Sequence, residues 1–237
     1  MARSAPIVKS RTSGMLSYAF LALIAAMFLV NLYLIFAYVP TERVMGIIQR
    51  IFYFHVPTAL VGFIAFAVAA FGSIAYLLGR KGVWDRVAHA SVEAGTVYFT
   101  VAIITGAVWA QPVWGTWWVW DANGTLSFVL WILFLGYLAV RAYAPTPDMA
   151  RRWAAVVSLM GLALVPFVYM AANWWSGLHP DLVAGPLAED DALETAMSRV
   201  LTFSLVTFTL LFVYMVKERV KQRGLEETLE EVRQRAG

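Results

Sequence analysis

Six stretches of this chain lack any charged side chain over a length that would cross a bilayer, and nothing else constrains its fold so tightly. They run from Met15 to Tyr38, Val56 to Gly79, Ala94 to Ala110, Ala122 to Val140, Ala154 to Asn173 and Val200 to Val216. A helix needs roughly 20 apolar residues to span the hydrocarbon, within about 17 to 25. Lipid offers no partner to backbone polar groups, so helices and closed barrels are the only spanning structures. Each stretch fits one helical crossing, the fourth and sixth near the short limit. Only 14% of the 237 residues are charged, against about a quarter in soluble domains. The expected fold is an all-α membrane protein. It is a single six-transmembrane-helix bundle over residues 1–237, with a charged tail at 217–237. The first stretch is longer than a signal-peptide core and lacks a small-x-small cleavage site, so it reads as the first span.

Orientation follows from the basic residues. The N-terminus, the second and fourth connections and the tail together carry fifteen of the Lys and Arg residues; the other side carries Arg43, Arg50 and Arg199. The positive-inside rule then puts both termini in the cytoplasm and the odd-numbered connections outside. The net charge of +3 reflects this bias, so the expected partner is the lipid bilayer and no nucleic acid. The chain has no cysteine, which excludes disulfides and covalent attachment of haem through CxxCH.

The two inward connections are short and basic; the three outward ones hold the unusual residues. In VPTERVMGIIQRIFYFHVP, residues Val44, Ile47, Ile48, Ile51 and His55 recur at helical spacing, which predicts a short interfacial helix carrying His55 on its apolar stripe. Arg43 and Arg50 share another face, and Pro57 falls near the start of the next span.

The second outward connection, WGTWWVWDANGT, packs Trp114, Trp117, Trp118 and Trp120 around Gly115 and closes on Asp121. A short helix started by Pro112 would put Trp114, Trp117, Trp118 and Asp121 on one face, with Trp120 off it. Interfacial anchoring explains Trp84, Trp153, Trp174 and Trp175; it does not explain four indoles in seven residues. Asp121 reads either as a cap for the fourth span or as part of the platform. The third outward connection places His179 just past the fifth span, followed by five acidic residues before Arg199. His89 and Glu93, on the inner side, read as structural, and the tail as a solvated helix interrupted at Gly224.

A flat aromatic platform beside two imidazoles suits haem. A porphyrin face stacks on indoles, and iron takes imidazole nitrogen on its axis. His55 and His179, approaching from separate loops, would be the iron ligands, while Arg43, Arg50 or indole N–H donors would meet the propionates. No nucleophile–base pair, carboxylate pair or phosphate-binding loop is present, so no enzyme is expected.

The string WGTWWVWD resembles the tryptophan-rich "WWD" signature of the haem-handling proteins of cytochrome c maturation. RIFYFHVPTA and WWSGLHP are similar to that family's histidine loops, and the span number and loop order match its CcmC-type branch. The resemblance covers roughly Gln49 to Arg199. It implies haem b held noncovalently at the outer surface of the bacterial cytoplasmic membrane, with His55 and His179 as axial ligands. It also implies partners: a CcmE-like haem chaperone, a CcmD-like small subunit and CcmA/CcmB ABC-type subunits. One departure stands out. Relatives commonly continue as WDARLTSE, whereas this chain has WDANGTLSF, so whatever that Arg binds in relatives, a propionate or a partner, the role is either lost here or moved to Arg43 or Arg50. The competing readings are a cytochrome b-like electron-transfer subunit, a transporter moving haem through the bundle, and a CcsA-type synthase component. The spans lack the central histidines and midplane polar groups that the first two would use, and the third is usually longer and richer in histidine.

Overall fold

A computed structural model describes residues 11–175, 177–179 and 193–236. Six helices account for most of them: α1 (Arg11–Tyr33), α2 (Phe52–Gly79), α3 (Gly82–Trp114), α4 (Ala122–Tyr143), α5 (Pro147–Trp174) and α6 (Thr195–Ala236). A π-helical turn at Leu34–Tyr38 continues α1, and a 3₁₀ turn at Ile47–Ile51 leads into α2. All six helices, with their continuations, are long and apolar enough to cross a membrane. Among the described residues there is no strand.

Local chemistry sets the helix ends. Thr146 caps α5 by accepting the Met149 N–H, Pro147 follows it and Asp148 lies in the first turn, each suited to the exposed N–H groups and positive pole there. Gly115 ends α3 in the left-handed region (φ 74°), its N–H returning to the Gln111 carbonyl. A residue with a side chain is strained at that φ.

The bundle is built around α2, which packs on α3, α5 and α6; α4 pairs mainly with α5 and α1 with α6. Val61, Ala65, Phe66, Val92, Phe99 and Phe134 form the centre of the apolar core. Gly95 brings the helices close, since a β-carbon there would lie 2.5 Å from Ala65 and 2.8 Å from Phe134. Small residues at contacts are the usual means by which membrane helices approach. α1 is mostly lipid-facing and is held to α6 through a buried hydrogen bond in which Ser204 donates to Asn31 (2.7 Å).

The helices overrun the charge-free stretches, and two expectations change. First, the interfacial helix is reduced to the Ile47–Ile51 turn, which runs straight into α2. His55 therefore belongs to α2 itself, and Pro57 sits inside that helix rather than at its start. Arg43 precedes the turn, so it shares no helical face with Arg50. Second, α6 passes through Gly224 without interruption. Its extension is not simply solvated, because it packs back on α3. Arg219 and Arg223 grip Glu93 with contacts of 2.8 and 2.6 Å, and Arg223 donates to His89 Nε2 (2.7 Å). Beside them, Asp85 receives Arg141 (2.7 Å) and Arg151 (3.3 Å), and Glu227 receives Arg86 (2.7 Å). A partly buried carboxylate such as Glu93, where the apolar run of α3 begins, is costly unless paired, and the extension supplies the partners. With six crossings the two chain ends share this basic end; Ser17 donates to Glu218 (2.5 Å) across α1 and α6. The opposite end carries the tryptophan-rich connection. The acidic residues Asp181, Glu189, Asp190 and Asp191 lie outside the described residues.

Candidate functional site

The early start of α2 turns His55 against α3. Its Nδ1 lies 3.0 Å from the Ala102 carbonyl oxygen and 3.3 Å from Thr105 Oγ1. A carbonyl only accepts, so the Nδ1–H donates and Nε2 keeps its lone pair. Thr105 spends its own proton on the Val101 carbonyl (2.7 Å), so it too accepts from His55. Gly106 makes the close approach possible, since a β-carbon there would lie 3.0 Å from the His55 ring. Trp109 closes the other side edge-on, with ring centroids 5.8 Å apart.

Beyond Gly115 the chain is not helical until Ala122. The short helix expected from Pro112 does not form: α3 carries Pro112 and Trp114 within its last turn, and the left-handed Gly115 then breaks the helix. The tryptophans are instead displayed from an irregular loop, with the Thr116 hydroxyl donating to the Trp118 carbonyl (3.1 Å). Trp114, Trp117 and Trp118 nonetheless line one cavity, of about 710 Å³. That lies within the range of about 300–1,000 Å³ usual for small-molecule sites. Trp120 is off the cavity and 70% exposed, packed on Phe128 at 5.8 Å. Gly115 does not line it either; its task is to end α3. The Trp118 and Trp109 indole N–H groups are buried without a hydrogen-bond partner.

Asp121 performs the capping role and a second one. One carboxylate oxygen accepts the Gly124 N–H (2.8 Å) at the start of α4, and the other accepts the Leu178 N–H (3.2 Å). A β-carbon at Gly124 would collide with the Val119 carbonyl, so the loop and the first turn of α4 pack closely there.

The cavity gathers residues from all three connections at the tryptophan-bearing end of the bundle. His55, His179, Arg43, Asp121 and the three indoles line it, and the two imidazoles are near enough to interact electrostatically. Arg50 is not with them. Its Nη1 donates to the Phe36 carbonyl (2.9 Å) and its guanidinium lies over the Phe36 ring (5.7 Å), so it fastens the end of the first span. Glu42 joins Arg43 at the rim. The backbone N–H of Met45 holds its carboxyl below the ordinary range, with Val44 adding a second bond (2.7 Å).

Sequence reasoning missed Thr105, Gly106 and Trp109. Their signal was a small–small step one turn before an indole, inside a run that read simply as a span.

A family described as "Heme exporter protein C" matches residues 2–235. Three proteins of that name are similar to this chain. The one from Haemophilus influenzae is 28% identical, with 94% of this chain and 90% of that protein covered. The one from Escherichia coli K12 is 30% identical over 78% and 74%. The one from Rhodobacter capsulatus is 29% identical over 97% and 95%.

Proposed function

This chain belongs to the haem exporter protein C family, and from that premise we propose that it handles haem for cytochrome c maturation. It holds haem b noncovalently at the outer face of the bacterial cytoplasmic membrane and presents it to a periplasmic haem chaperone. The observation that carries this reading is the single cavity lined by His55 of α2, by His179 and by the indoles of Trp109, Trp114, Trp117 and Trp118.

The donor set fits such a cargo. A bare transition-metal ion usually takes about four protein ligands, and among the described residues no group of three or more His, Cys, Asp or Glu side chains is suited to hold one. Iron in a porphyrin arrives with its equatorial positions filled and needs only axial nitrogen. His55 offers Nε2, oriented by its Nδ1 bond to α3, the kind of outer contact that fixes a ligating ring. His179 serves as the second ligand. Trp114, Trp117 and Trp118 give the macrocycle a stacking surface, and Arg43 is the cavity's cation for a propionate.

The count of Lys and Arg supports a cytoplasmic basic end and an outward-facing cavity. A carrier must bind firmly enough to load and loosely enough to deliver, and a site on connections at the bundle's end leaves an edge of the cargo open. The relatives are named as exporter proteins. CcmA/CcmB-type ABC subunits, a CcmE-like chaperone and a CcmD-like small subunit are the partners this reading assigns.

The test is absorption spectroscopy of the protein purified in mild detergent, native and as His55→Ala and His179→Ala. Loss of the six-coordinate low-spin bands in each variant, with reduced transfer to the chaperone, is expected. Unchanged spectra and transfer in both variants would overturn the axial assignment.

A further inference from the structure

We propose that Asp121 is the positioning residue for His179: its carboxylate tethers the third outward connection to the tryptophan loop and so sets the reach of the second iron ligand. This rests on the reading of His179 as an axial ligand, which it deepens.

The two histidines are supported differently. His55 is carried by α2, and its ring is bonded to the backbone of α3. His179 lies between the end of α5 at Trp174 and the start of α6 at Thr195, outside any helix. Where its imidazole falls depends on how the short segment 177–179 is fastened. The Leu178 N–H, immediately before His179, is donated to Asp121, 57 residues away in the chain. Gly177 makes room for this bond, because a β-carbon there would lie 2.5 Å from the same carboxylate oxygen. Asp121, Gly177 and Leu178 thus form a matched joint, and the cavity holding His179 is the one that Asp121 lines.

The joint explains why a carboxylate closes the tryptophan run. Capping α4 needs one acceptor oxygen and the tether needs another, and Asp121 divides its two oxygens between them. A serine or threonine would cap the helix but has one oxygen to share. The tether also links the cavity indoles to the ligand, because Asp121 closes the loop that carries Trp117 and Trp118.

The experiment uses the full chain in mild detergent, loaded by titration with haemin, and reads the spin state by absorption and electron paramagnetic resonance. Asp121→Asn keeps a competent helix cap but has a single acceptor oxygen. Gly177→Ala leaves the carboxylate intact and pushes the segment off it. Each is expected to move the low-spin to high-spin ratio roughly tenfold toward high spin, equivalent to about 1.4 kcal/mol, with the melting temperature of the haem-free protein unchanged. Added imidazole is expected to restore the low-spin spectrum in both. If His179→Ala alters the spin state while both other variants keep the native spectrum, the tether is overturned and the ligand assignment stands. If His179→Ala itself leaves the spectrum native, the ligand assignment fails and this inference fails with it. High-spin variants that imidazole does not restore would place the damage elsewhere in the cavity and overturn the tether.

Discussion

The Nδ1 of His55 lies 3.0 Å from the carbonyl oxygen of Ala102, a residue on the neighbouring helix and 47 positions further along the chain. That contact assigns the tautomer and leaves Nε2 as the nitrogen able to bind a metal. It also means that the ring is held by the packing of α2 on α3, so changes on α3 that never touch a cargo will be felt at the site.

Gly106 is the clearest such position. A β-carbon there would stand 3.0 Å from the His55 ring, so Gly106→Val forces the imidazole away from Ala102. Haem titration should show about a tenfold weaker affinity, equivalent to 1.4 kcal/mol. Gly136→Ala, at a glycine with open space around it, is the control and should bind as the native chain does. Equal affinity in both variants would contradict the seating of His55 on α3.

Arg43 and Arg50 should separate. Arg43 lines the cavity, whereas Arg50 is engaged with Phe36. Arg43→Ala is expected to lower haem retention after gel filtration with an unchanged melting temperature. Arg50→Ala is expected to cost about 1.5 kcal/mol of stability, the low end for a hydrogen bond to a charged donor at an exposed site, with haem retention close to native.

Trp118 and Trp120 should separate in the same way. Trp118→Leu removes an indole from the cavity wall, and Trp120→Leu removes one packed outside it on Phe128. Haem content per purified chain should fall several-fold in the first and little in the second. The reverse order would show that the loop turns its other face to the cargo.

At the basic end, Glu93→Gln leaves Arg219 and Arg223 without their shared carboxylate. Because Glu93 is partly buried, the expected loss is about 2 kcal/mol, below the figure for a fully buried pair broken on one side. Thermal melts should shift down, and limited proteolysis should release the α6 extension sooner. Unaltered melts and cleavage would mean that the extension is not held by Glu93.

Gly224→Ala should do the opposite. Gly224 sits within continuous helix, and a β-carbon there would lie at an ordinary 3.7 Å from the Arg86 side chain. Replacing a helix-interior glycine gains up to about 1 kcal/mol, so the melting temperature should hold or rise. A clear fall would restore the idea of a break at that glycine.

The lengths of the apolar stretches were enough to count six crossings, because the cost of exposing backbone to lipid is met residue by residue within each helix. The tryptophan run, the two histidines beside the connections at its end of the bundle and the bias in basic residues were likewise legible, since each is a matter of which side chains stand near one another in the chain. What folding added were pairings between distant residues. Glu93 meets Arg219 across 126 positions, Leu178 meets Asp121 across 57, and His55 meets Ala102 across 47. Such partners are chosen by which helices lie side by side, and local composition carries no record of that choice. The same packing ran α3 and α6 past the charged residues that bound their apolar stretches. Buried partners for those charges, supplied by other helices, removed the reason for the helix to stop.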